Sequence, residues 1–182
     1  MTTAIAKSKL SVKAQTLGAV AAIVSAVAIP QILHLLGAAS GLGTSLGEIF
    51  LPMHLPIILA GLLAGPFAAG IAGFLSPLIS FGLTGMPSAA MLPFMMIELA
   101  AYGACAGMLR NVKLPSVVKV LIAQIAGRVI RAGAIFVGFQ FLGTAIKPAV
   151  VLSSIKVGLI GLALQLIIIP LAVYRLKKAD NE

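Results

Sequence analysis

Between Ile49 and Ile97 the chain carries no Asp, Glu, Lys or Arg. That run is far longer than the ~20 apolar residues one helix needs to cross the hydrocarbon core of a bilayer. It must therefore fold back on itself without exposing a charged loop. The rest of the chain points the same way: 60% of its 182 residues are hydrophobic and 9% are charged, against roughly 25% charged in a soluble domain. The mean hydropathy is +1.15. An ordinary soluble domain is excluded, and so is a disordered chain, which would be rich in charge and poor in aliphatic residues. The 19 glycines and 10 prolines follow no Gly-X-Y period, which excludes collagen. The fold class expected is an all-α membrane protein, with room for about six spans at that length.

The charges fix the expected topology. Nine of the 13 basic residues fall into three groups. Lys7, Lys9 and Lys13 precede the first apolar run; Arg110, Lys113 and Lys119 sit at one short break; Arg175, Lys177 and Lys178 follow the last run. Lys and Arg concentrate in short cytoplasmic loops, so both termini are expected in the cytoplasm and the number of spans is even. The net charge of +9 has no interleaved aromatics and no Trp, so the footprint of nucleic-acid binding is absent. The N-terminal basic stretch, with Ala26-Val27-Ala28 as a cleavage-like box, resembles a signal peptide. The apolar run continues through Leu36, however, too far for an h-region, and a retained span is expected.

Six transmembrane helices are placed at about 14–36, 52–64, 67–83, 88–109, 115–142 and 149–174, forming one integral membrane domain over 1–182. Gly37–Gly47 reads as an exposed loop and Gly143–Pro148 as an outer turn. Gly65-Pro66 divides the long uncharged run, because Pro excludes its predecessor from the helical region; Gly82–Pro87 marks a second break. The 52–64 segment is short for a vertical crossing and is expected to begin in a re-entrant or loop-covered region. No internal repeat supports an inverted-repeat transporter.

Ionisable groups inside spans are costly and mark function by default. Four stand out: Glu98, Arg128, Arg131 and Lys156. Counting 1.5 Å per residue sends all of them to between the midplane and the outer half. Gln124, Arg128 and Arg131 recur at i, i+4, i+7 on one helical face, and Glu98 and Tyr102 lie one turn apart. Glu98 paired with an arginine would only fix packing. One acid cannot neutralise two arginines and a lysine, though, and the surplus suits an anion such as a carboxylate, which an arginine fork holds bidentately. Lys156 has the alternative of snorkelling outward.

His34 and His54 flank the first outer loop; each is either a hydrogen-bonded packing residue or a ligand contact. With Cys105 as the single cysteine, two dispersed histidines offer no metal-ligand spacing, so no metal and no cofactor is expected. No nucleophile motif surrounds any serine, so the chain is not expected to be an enzyme. Phe94, Met95, Phe136 and Phe139 could face a small ring or pack in the core. Ala14, Gly18, Ala22 and Ala26 form a ladder of small residues at every fourth position. Such faces allow close helix packing in lipid, either within the chain or onto a membrane partner.

Four segments carry a family resemblance. They are the run from Phe50 to Pro66 (Phe-Leu-Pro-Met-His-Leu-Pro-Ile-Ile-Leu-Ala-Gly-Leu-Leu-Ala-Gly-Pro), Leu-Thr-Gly-Met-Pro at 83–87, Pro93 to Gly103 around Glu98 and Tyr102, and Gly127-Arg128. Together they resemble the substrate-binding S component of energy-coupling factor (ECF) transporters, which take up vitamins in prokaryotes. The resemblance implies a six-span protein of the prokaryotic plasma membrane. It implies a vitamin bound in the outer half, under loops that close, by residues such as Arg128, Arg131, Glu98, Tyr102, Gln124, His54 and Lys156. It also implies toppling within the bilayer, and partners: a transmembrane coupling protein, docked on the ladder, and two ATPase subunits. The chain has no Walker A segment, so ATP hydrolysis belongs to those partners. The Leu51-Pro52-Met53-His54 version is similar to members assigned to niacin or pantothenate, and the low aromatic content argues against riboflavin. A stand-alone permease and a non-transporting scaffold are the alternatives.

Overall fold

The computed structural model describes residues 10–179. Lys7 and Lys9 of the first basic group lie outside them. The described residues are helical throughout, without strands: α1 (Val12–Ala39), α2 (Ser45–Phe50), α3 (His54–Ala64), α4 (Pro66–Thr84), α5 (Leu92–Met108), α6 (Ser116–Phe141), α7 (Ala149–Val157) and α8 (Leu159–Ala179). Among the described residues, five segments are long and apolar enough to cross a bilayer: α1, α2 with α3 taken together, α4, α6 and Leu159–Leu176 of α8.

The expected spans correspond to these elements with three differences. The segment expected at 88–109 is the shorter apolar helix α5, with 17 residues. At 1.5 Å per residue it reaches roughly 25 Å, short of a ~30 Å hydrocarbon core. Its start slips from Ser88 to Leu92 because Pro93 occupies the first turn, where a missing N–H is tolerated. The loop expected over Gly37–Gly47 is shorter, since α1 runs to Ala39 and α2 begins at Ser45. The last expected span is two helices, broken at Gly158. The break expected at Gly65-Pro66 is present: Gly65 has φ 97° and ψ 174°, a conformation closed to other residues, and Pro66 opens α4.

Polarity is distributed for lipid. Leu17, Leu35, Phe67, Leu83, Phe141 and Leu142 are exposed, whereas His54, Glu98, Gln124, Arg128, Arg131 and Gln165 are buried. Small residues bring the central helices into backbone contact. A Cβ at Gly73 would strike the Leu99 carbonyl, one at Gly103 the Ala69 carbonyl, and one at Gly107 the backbone of Pro66. In lipid such close van der Waals contact replaces the hydrophobic effect as the force between helices. The α4–α5 pair, flanked by α3 and α6, holds Glu98 at the centre of the molecule with no side-chain exposure above 1%.

The small-residue ladder turns inward over most of its length. Ala22 and Ala26 are buried, Ala14 is exposed, and a Cβ at Gly18 would stand 2.6 Å from the Cβ of Ala64 on α3. Of the two uses open to the ladder, packing within the chain occupies Gly18, Ala22 and Ala26. Gly18→Leu should therefore lower the thermal unfolding temperature of the isolated protein, since overpacking costs about 1–3 kcal/mol. An unchanged melting temperature would mean that α1 does not sit on α3 in this way.

Candidate functional site

Glu98 organises the site. Tyr102, one turn later on α5, donates its hydroxyl to Glu98 Oε1 at 2.9 Å. The Tyr102 ring lies directly against α6, where a Cβ at Gly127 would collide with it. Gly127 is thus what lets α6 approach α5 closely enough for its arginines to reach Glu98. Arg128 Nη1 lies 3.1 Å from Glu98 Oε1, and Arg131 Nη1 lies 3.1 Å from Oε2. His54, the first residue of α3, stands edge-on to Tyr102 with ring centroids 5.0 Å apart. Its Nε2 is 3.9 Å from Glu98 Oε1. Three helices thus converge on one carboxylate.

Two guanidinium groups face one acid, and their donors are incompletely used. Both Nη1 atoms also approach Ser154 Oγ at 3.5 Å, and Arg131 Nη2 meets the thioether of Met91 at 3.5 Å, a weak acceptor. Among the described residues, six of the seven buried side-chain polar atoms without a hydrogen-bond partner belong to His54, Glu98, Arg128 and Arg131, and one of the six, Glu98 Oε2, is held by the ion pair with Arg131 instead. Buried polar groups are normally satisfied, because an unpaired one costs about 1–3 kcal/mol. Their concentration at one place sets this cluster apart from the rest of the described interior.

A cavity of about 570 Å³ opens above this cluster. Its lining includes Glu98, Arg131 and His54, the four methionines Met53, Met86, Met91 and Met95, the hydroxyls of Ser153 and Ser154, and His34 and Glu48. The volume falls in the range of small-molecule sites, which are mostly apolar with a few placed polar groups.

The structure brings Glu98, Tyr102, Arg128, Arg131 and His54 together. It does not bring in the other two expected contacts. Gln124 instead donates to Gln165 Oε1 at 3.1 Å and to the Leu162 carbonyl at 3.3 Å. Lys156 is exposed on α7 and is not among the cavity residues. Arg128 and Tyr102 contact Glu98 but are not among the cavity residues. Of the four candidate walls for a ring, Met95 lines the cavity, Phe94 is buried against Gly138, and Phe136 and Phe139 are exposed.

Ser154, Gln165, Met86 and Met91 are absent from the site residues that the sequence singles out. Gln165 left a signal, as an isolated amide in an apolar run.

A family model described as ECF transporter, substrate-specific component, matches residues 12–173. Neither the curated proteins nor the solved structures contain a match. The matched stretch includes all the residues of the buried cluster and the whole cavity wall. Members of the family are multi-pass binding and transport proteins rather than enzymes, and associate with a membrane coupling protein and ATPases. The chain belongs to the family of ECF transporter substrate-specific components.

Proposed function

We propose that this S component captures a small, water-soluble vitamin bearing a carboxylate, of the niacin or pantothenate type, and seats that carboxylate on Arg131. The observation that carries the reading is the charge count of the buried cluster bordering the cavity; Glu48, the other acid of the lining, is exposed. Glu98 faces Arg128 and Arg131 together, and Arg131 is the arginine that reaches the cavity. A buried cluster with one net positive charge favours an anion strongly, since low dielectric amplifies the attraction. The thioether contact of Arg131 Nη2 is readily exchanged for a carboxylate oxygen, which would complete a bidentate fork.

The remaining expectations belong to the same reading. Six crossings, counting α5, would leave both termini on the cytoplasmic side of a prokaryotic plasma membrane, with Arg110, Lys113 and Arg175 facing inward. The coupling protein would meet α1, the least buried of the long apolar helices. Its exposed residues include Leu17, Val20 and Val24, and Ala14 is the rung of the ladder left open. The two ATPase subunits would act through that coupling protein.

A thermal-shift panel of vitamins on the purified protein tests the ligand class. A ligand at a hundred times its Kd stabilises by about 2.7 kcal/mol through mass action. Nicotinate or pantothenate should raise the melting temperature, and nicotinamide, which lacks the charge, should not. Equal stabilisation by the acid and its amide would sink the carboxylate reading.

A further inference from the structure

Leu51 joins α2 to α3 at φ 48° and ψ 50°, and is the one non-glycine residue with positive φ among those described. A branched side chain persists in the left-handed region only where its surroundings over-determine it. Here a chain of amides does so. Gln165 of α8 donates its Nε2 to the Leu51 carbonyl at 3.3 Å, and its Oε1 accepts from Gln124 Nε2 of α6 at 3.1 Å. Both glutamines are buried.

A second observation converges on the same corner. A Cβ at Gly158 would stand 2.7 Å from Leu51 Cδ1, and one at Gly161 would stand 2.5 Å from the Phe50 carbonyl oxygen. The end of α2 therefore rests directly on the backbone at the α7–α8 break. Leu51, Pro52, Met53 and His54 all line the cavity, whereas Gln124 and Gln165 do not.

We propose that Gln124 and Gln165 are positioning residues for ligand capture. Acting through the Leu51 carbonyl, they hold the α2–α3 corner as a fixed wall of the cavity and so set how long a ligand stays. The proposal rests on the cavity being the ligand site, but not on the identity of the ligand. Gln165→Met keeps the size and removes both hydrogen bonds; Gln124→Met removes one link and is the milder variant should the first fold poorly.

Hydrogen exchange of the full-length protein reads the corner directly. Amides over 45–53 should exchange about tenfold faster or more in Gln165→Met, with those of α4 and α5 unchanged, because local opening is independent of the core. Stopped-flow binding of nicotinate and of pantothenate reads the consequence. Whichever acid binds the parent should dissociate about tenfold faster from the variant, with association altered less than about twofold. Unchanged exchange over 45–53, or a uniform rise across all helices, would overturn the proposal. So would a loss carried by association alone. If neither acid binds the parent protein, the carboxylate reading fails by itself, and the exchange pattern still decides the role of the glutamines.

Discussion

Arg131→Ala is expected to weaken carboxylate binding by about 3 kcal/mol, or roughly a hundredfold in Kd, while leaving the protein folded. The asymmetry follows from the charge count. Removing Arg131 leaves Glu98 paired with Arg128 at 3.1 Å, and the Tyr102 hydroxyl still bound to the same carboxylate. That remnant is neutral and hydrogen-bonded, so no buried charge is abandoned. The ligand, in contrast, loses the one guanidinium that reaches the cavity. Arg131→Lys should fall between the two, because it keeps the charge and loses the planar fork. Isothermal titration with nicotinate and pantothenate measures the series. Parent-like affinity in Arg131→Ala would mean that the ligand's charge is read elsewhere.

Much of the site was legible because lipid makes charge conspicuous. Glu98, Arg128 and Arg131 stand out of apolar runs, and helical spacing alone puts the two arginines on one face. The structure keeps that face and directs it at Glu98. The Gly65-Pro66 break was legible for a local reason, since Pro bars its predecessor from the helical region and Gly accepts the positive φ that results. What was not legible depended on neighbours. Periodicity places Gly18, Ala22 and Ala26 in a line, but whether that line meets α3 or another protein is a tertiary matter. Counting along one continuous helix gives Lys156 a depth within the span. The chain breaks at Gly158 instead, because the end of α2 is seated there, and α7 presents Lys156 outward. Gln165 carries no charge to mark it, although an amide in lipid needs a partner almost as urgently. Its partner, the Leu51 carbonyl, lies 114 positions away in sequence, beyond the reach of any local pattern.

The same charge count gives an effect of opposite sign at Glu98. Glu98→Gln keeps an oxygen for the Tyr102 hydroxyl, now at 2.9 Å, but removes the counter-ion of two buried arginines. Breaking a buried ion pair from one side costs about 3–5 kcal/mol, so the ligand-free variant should melt on the order of 10 °C lower. Its affinity for a carboxylate should nevertheless rise, because the ligand now supplies the only negative charge facing Arg128 and Arg131. Saturating nicotinate or pantothenate should therefore recover more melting temperature in Glu98→Gln than in the parent protein. A direct ligand contact by Glu98 gives the reverse pattern, with affinity falling and the ligand rescuing less. If Glu98 only fixed the packing of α5 against α6, stability would fall and the ligand-induced shift would stay the same size. The sign of the change in ligand-induced shift thus separates a carboxylate that stands in for the ligand's charge from one that binds the ligand and from one that only packs helices.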